Sequence, residues 1–137
     1  MSLKQGKAES LASLDAYLTA AVAAGYQWGL YKNNFTPTED SVIGDVTPAN
    51  FSGYAGLQSF SSWNAATWGS PRATATAADV VWTHNGGGTP NDIYGYYVVD
   101  GSGALAWAER NAVAPVTISG AGQTYTVKPA YTRRSEF

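Results

Sequence analysis

Beyond Gly25 no apolar residues recur at the three- and four-residue spacing of a helix. The remaining chain is a succession of short β-rich runs punctuated by Gly, Pro, Asn and Asp. "YQWGLYK" reads as a strand, followed by "NNFTPTED" as a loop with Pro37 as breaker. "SVIGDVTPANFSGYAGLQ" is broken at Pro48 and resumes near Gly53, and "SSWNAATWGSP" is an irregular Trp-bearing loop or edge. "RATATAADVVWTH" has the β-branched alternation of one strand, ending before "NGGGTPND". Two hairpins complete the series: "NDIYGYYVVDGSGALAWAER", and "APVTISGAGQTYTVKPAYT" with its turn at Gly120 to Gly122 and a break at Pro129. Strands in regular succession without intervening helices predict an antiparallel sandwich, jelly roll or small barrel.

Ahead of this region lies one helix. Leu11, Leu14, Leu18 and Val22 follow steps of three and four, and Gly25 stands where a left-handed residue would close a helix begun near Lys7. An isolated helix of this length is marginal, so its stripe must pack on the main body or on another chain. The lysines and apolar residues of this segment are interrupted by Glu9 and Asp15, so it reads as neither a signal peptide nor a membrane span. With 137 residues one core is feasible and two are not expected. The expected organisation is a helical arm over 1–25, a single β-domain over 26–132 and a tail over 133–137.

Only 13% of the residues are charged, well below the roughly 25% of ordinary soluble domains. A surface so poor in charge is suited to meeting protein. Net charge is −2, so there is no basic field to hold a phosphate backbone, and nucleic acid is not an expected partner. Lys128, Arg133 and Arg134 form the one basic cluster, read as a solvated tail or as a contact for an acidic neighbour.

The hairpin from Asn91 to Arg110 carries apolar residues on both faces. With Asp100 to Gly103 as the turn, Val98 would oppose Leu105, Tyr97 would oppose Ala106 and Tyr96 would oppose Trp107. One face then carries Tyr94, Tyr96, Val98, Leu105 and Trp107. The other sets Ile93, Tyr97 and Val99 against Ala104, Ala106 and Ala108, the large-on-small arrangement of a core layer. The Tyr/Trp face is what an interface offers, so Tyr94, Tyr96 and Trp107, with the helix stripe Leu11, Leu14, Leu18 and Val22, are the candidate protein-contact residues.

Reaction centres find little support. Cysteine is absent, which excludes disulfides and thiolate chemistry, and His84 is the only histidine, which excludes a two-histidine metal site. "HNGGG" has the look of an esterase oxyanion loop, but no G-x-S-x-G elbow accompanies it, so it reads as turn chemistry. Glu39, Asp40 and Asp45 lack the alternate-position oxygens of a calcium loop. Neither a catalytic residue, a metal ligand nor a cofactor is expected, and the chain reads as non-enzymatic. A different class of function, a carbohydrate-binding β-sandwich of a tail fibre or similar adhesin, would use Trp63, Trp68 and Trp82 as stacking rings, with Asn64, Asn85 and Asn91 as polar partners.

The ordered set "LYKNNFTPTEDSVIGDVTPANFSGYAG", "WGSP", "NDIYGYYVVDGSGALAWAER" and a final β-run ending in "SEF" resembles small virion proteins of tailed bacteriophages, several of which look like capsid cement or decoration proteins of short-tailed phages. The resemblance covers roughly Gly29 to Phe137 and is sharpest at "LYKNN.TP", "F.GY" and "IYGYYV.D..G.L.WAER". It implies a jelly-roll-like β-domain that associates with itself as a homodimer or homotrimer. Such a protein is made in the host cytoplasm and sits on the outside of the capsid, bridging major capsid protein subunits, with neither nucleic acid nor membrane as a partner.

Overall fold

The structure, a computed structural model, describes residues 5–135; the ends of the expected arm and tail, including most of "SEF", lie outside them. The elements are α1 (Lys7–Ala23), β1 (Gln27–Tyr31), a 3-10 turn (Ile43–Asp45), β2 (Gln58–Ser59), β3 (Thr67–Gly69), β4 (Arg72–Thr76) and β5 (Val80–Thr83). They continue with β6 (Asn91–Ile93), β7 (Gly95–Val99), β8 (Leu105–Arg110), β9 (Val116–Ile118), β10 (Thr124–Val127) and β11 (Ala130–Arg134). The fold is mainly β, with one N-terminal helix and several small antiparallel sheets, none of them closed. The chain divides into two compact units: Met1–Ala24 with Ser61–Asp79 and Lys128–Phe137, and Gly25–Phe60 with Val80–Val127.

The first unit lays α1 on the sheet β11-β4-β3. Its helix has the expected limits, ending at Ala23 with Gly25 at φ +81°, where a side chain would be strained. "RATAT" alternates small and polar residues, so Ala73 and Ala75 point inward and give the helix a flat floor. Leu14 and Leu18 fill that floor, and Leu11, Tyr17, Trp63, Ala66, Trp68 and Tyr131 close around them. Tyr17 stacks on Tyr131 with ring centroids 5.6 Å apart. Arg133 and Arg134 are strand residues of β11, and Arg133 donates from Nε to Gln5 Oε1 at 3.0 Å. Lys128 pairs with Asp79 at 3.3 Å, an exposed contact of little weight.

Ser10 is fully buried on α1, and its hydroxyl has no hydrogen-bond partner. A buried hydroxyl without a partner costs stability, and alanine is the better helix former. Ser10→Ala should therefore raise the stability of this unit by about 1 kcal/mol, measurable as a shift of the denaturant midpoint at unchanged slope.

The second unit is built on the sheet β2-β1-β7-β8, with the two-stranded sheets β5-β10 and β6-β9. "RATATAADVVWTH" is not one strand. It breaks at Ala77–Asp79, so β4 pairs with β11 and β5 with β10. The turn expected near Gly120 to Gly122 forms, with Gln123 N–H donating to the Gly120 carbonyl at 3.1 Å. Its arms do not pair with each other, however: β9 joins β6 and β10 joins β5.

The Asp100 turn forms as expected. The Asp100 carboxylate accepts from the Ser102 hydroxyl at 2.7 Å, the Ser102 N–H at 2.8 Å and the Ala104 N–H at 3.1 Å. These bonds, Ser102's first, hold the carboxyl below its usual range. The register differs from the sequence expectation by two steps: Val99 faces Leu105, Val98 faces Trp107, Tyr97 faces Ala108 and Tyr96 faces Glu109. One step comes from a turn that keeps Ala104 out of the ladder. The other comes from a bulge at Ala106, between the Val98 and Val99 pairs. One step moves every side chain to the opposite face and two restore it. Tyr96, Val98 and Trp107 therefore share a face as expected, while Leu105, lying between the two offsets, joins the opposite layer of Tyr31, Val46, Tyr97 and Val99.

Candidate functional site

The Tyr/Trp face is covered within the second unit. "YQWGLY" places Trp28 and Leu30 on the same face as Val98 and Tyr96, their cross-strand partners. Trp28 stacks on Phe60 with centroids at 4.8 Å, meets Tyr96 at 5.5 Å and meets Trp107 edge-on at 6.2 Å. Phe60 and Tyr26 contact Trp107 at 5.8 and 6.5 Å. Trp28 and Phe60 are buried, whereas Tyr96 and Trp107 are half-buried and form the outer part of the layer. Tyr26, Trp28 and Phe60 were not among the expected contact residues, although the alternation of Tyr26 and Trp28 in "YQWGLY" signals a shared face.

On the opposite face two glycines receive two tyrosines. Gly29 lies across from Tyr97 and Gly95 across from Tyr31, so each ring covers the gap a missing side chain leaves. Tyr94 belongs to this side and not with Tyr96: it falls between β6 and β7, packs with the Tyr31 and Tyr97 cluster and lies under the Arg110 guanidinium at 5.2 Å. Burial pushes Tyr31 and Tyr97 from 10.0 up to about 12. Burial also raises Tyr96, helped by the Glu109 carboxylate that accepts its hydroxyl at 3.1 Å. Because the fold favours the neutral phenols, their stabilisation is complete below pH 10 and is lost as pH rises through 12. The second unit should thus unfold in base over that interval, with tyrosinate absorbance rising cooperatively and together with loss of β circular dichroism.

A third aromatic group explains "FSGY". Phe51 stacks on the His84 ring at 6.0 Å and contacts Tyr54, which lies over Trp82 at 6.1 Å. Gly53 has φ +96°, and a Cβ there would strike the Thr83 carbonyl oxygen. His84 is buried, its Nδ1 accepting the Gly86 N–H at 2.9 Å, while Asn85 Oδ1 accepts the Gly87 N–H at 3.1 Å. "HNGGG" is therefore a loop capped by its own side chains.

Each unit has a groove lined by described residues. In the second unit, edge strand β8 contributes Leu105, Ala106, Trp107 and Ala108, and the facing loop contributes Pro37, Thr38, Glu39 and Ser41, around about 400 Å³. In the first unit, a groove of about 470 Å³ is lined by Asp15, Leu18, Thr19, Val22 and Ala23 of α1 and by residues 62–65. Val22 and Trp63 are half-buried there.

Leu14 and Leu18 are covered by their own unit, and Leu11 and Val22 are the half-exposed members of the helix stripe. Trp68 is half-buried against the same core. Trp82 is 2% exposed and donates its indole N–H to the Gly56 carbonyl at 3.0 Å, so neither ring face is open to a sugar. Asn91 is buried, exchanging hydrogen bonds with Asn50, and Asn64 bonds to Thr76. Among the described residues no group of three His, Cys, Asp or Glu side chains could hold a metal ion, and no helix is long and apolar enough to cross a membrane. No protein-family model, curated protein or solved structure matches the chain.

Proposed function

We propose that the protein is a non-enzymatic structural component of a tailed-phage virion, a capsid cement or decoration protein. In this reading it binds the outside of the assembled shell, bridges major capsid protein subunits and acts as a homodimer or homotrimer. The observation that carries the reading is where the resembling residues fall. Leu30 and Tyr31 of "LYKNN.TP", Phe51, Gly53 and Tyr54 of "F.GY", and Gly95, Tyr96, Tyr97 and Trp107 of the long hairpin are all packing residues of the second unit. A pattern made of packing residues suits a protein whose task is to present a surface. Its low charge and the groove along edge strand β8 suit contact with other chains. A jelly-roll-like sandwich belongs to the same proposal, with the β1-β7, β5-β10 and β6-β9 pairs as its strand material.

On this reading Trp107 supports the contact surface from within the aromatic layer, with Tyr96 beside it; Tyr94, on the opposite face of the sheet, and Leu11 and Val22, on the helix of the first unit, are separate candidate contacts. Binding that favours the assembled lattice stabilises it by mass action, and each further contact gains from the first. Expanded, undecorated shells of a short-tailed phage should therefore survive to a higher temperature with the protein than without it. Ala106→Lys, placed at the exposed bulge of the edge strand, should fold normally and lose most of that protection. An unchanged disruption temperature at saturating wild-type protein would contradict the proposal.

A further inference from the structure

The groove in the first unit has the chemistry of a saccharide site. At about 470 Å³ it has room for one or two sugar rings. Trp63 supplies an aromatic wall for the C–H face of a pyranose, and Val22 and Ala65 extend the apolar side over buried Leu18. Set among these are the polar groups of Asp15, Thr19, Ser62 and Asn64, which offer both donors and acceptors to ring hydroxyls. Asp15 is held in place by local structure. Its Oδ1 accepts the Ala66 N–H at 2.8 Å, tying α1 to the loop that carries Trp63, while Oδ2 remains an acceptor for a ligand hydroxyl. Asn64 is fixed by its own N–H to the Thr76 carbonyl at 2.8 Å and by its Nδ2 to Thr76 Oγ1 at 3.1 Å. Aromatic wall, carboxylate and amide are thus positioned before any ligand arrives.

Charge narrows the ligand class. Among the described residues no Lys, Arg or His lines the groove, Asp15 brings its carboxyl group to it, and the C-terminal half of α1 runs along one side without a basic residue in its last turn. An anionic sugar would meet a carboxylate and the negative end of a helix dipole. We propose that this groove binds a neutral saccharide through stacking on Trp63 and hydrogen bonds to Asp15 and Asn64, and that it rejects sialylated and uronic acid glycans. The inference does not rest on shell binding, because the free protein is the object tested.

The test is a glycan array followed by nuclear magnetic resonance titration of the full chain with lactose, maltose, N,N′-diacetylchitobiose and sialyllactose. At least one neutral glycan should give saturable shifts confined to the amides of residues 15–23 and 62–66, and sialyllactose should bind at least about tenfold more weakly. Asp15→Asn, which keeps the Oδ1 acceptor for Ala66, should weaken the neutral ligand about tenfold. Trp63→Ala should abolish binding. Because Trp63 also packs on the core, Thr19→Arg provides the variant that folds: Thr19 is exposed, and an arginine there fills the mouth of the groove and should remove binding. A silent array with no saturable shift, shifts elsewhere on the protein, equal binding of sialyllactose, or wild-type affinity in Thr19→Arg would each overturn the proposal.

Discussion

Replacing Gly95 by alanine should destabilise the second unit by about 3 kcal/mol, one of the largest effects expected of a single methyl group in this chain. Gly95 is on β7, held between β1 and β8, opposite Tyr31 on one side and Arg110 on the other. A Cβ there would collide with the Glu109 carbonyl oxygen and stand 2.7 Å from the Tyr31 hydroxyl oxygen. Neither neighbour can give way. The carbonyl belongs to the paired strand, and Tyr31 is fully buried with its hydroxyl donating to the Phe35 carbonyl at 3.3 Å. Denaturant unfolding should show the loss as a lowered midpoint. Gly44→Ala is the control: it lies in the 3-10 turn with nothing within 4 Å of an added Cβ, and it should change stability by less than about 0.5 kcal/mol.

Trp28→Ala should cost about 4 kcal/mol. The ring is 3% exposed and touches Phe60, Tyr96 and Trp107, so its removal opens a cavity in the middle of the aromatic layer. Trp107, half-buried at the rim of the same layer, should cost roughly half as much when truncated, since part of its surface already meets solvent. Equilibrium unfolding of both variants checks the order. Equal losses would mean that Trp107 is as central to the fold as Trp28.

The helix was legible because its signals are local: the Leu11, Leu14, Leu18 and Val22 spacing, and Gly25 to close it. Sheet partners were less so. In "RATATAADVVWTH" the alternation lapses only at Ala78 and Asp79, and no Gly or Pro marks the point where the chain leaves β11 as a partner and takes up β10. Likewise "APVTISGAGQTYTV" contains a turn, but a turn alone does not make its two arms pair. In the long hairpin the faces of Tyr96, Val98 and Trp107 were readable although the register was not, because the turn and the bulge at Ala106 offset the strands by two residues in total.

Sites were legible by residue type more than by arrangement. Trp63 and Asn64 stand out in the sequence as an aromatic and an amide side by side. Their partner Asp15 lies in a helix 48 and 49 positions earlier and reaches the site only through packing of α1 on the sheet. The aromatic cover over Tyr96 and Trp107 was hidden in the same way, because Phe60 reaches it through the tertiary fold.

The most direct measurement is co-sedimentation of the purified protein with expanded, undecorated shells of a short-tailed phage, in parallel with dispersed major capsid protein subunits. A lattice-binding cement protein should pellet with the shells at a fixed saturating ratio and leave the free subunits unbound, and Ala106→Lys should remain in the supernatant. Wild-type protein that stays in solution with shells, or that binds dispersed subunits as well as assembled ones, would contradict the proposed function.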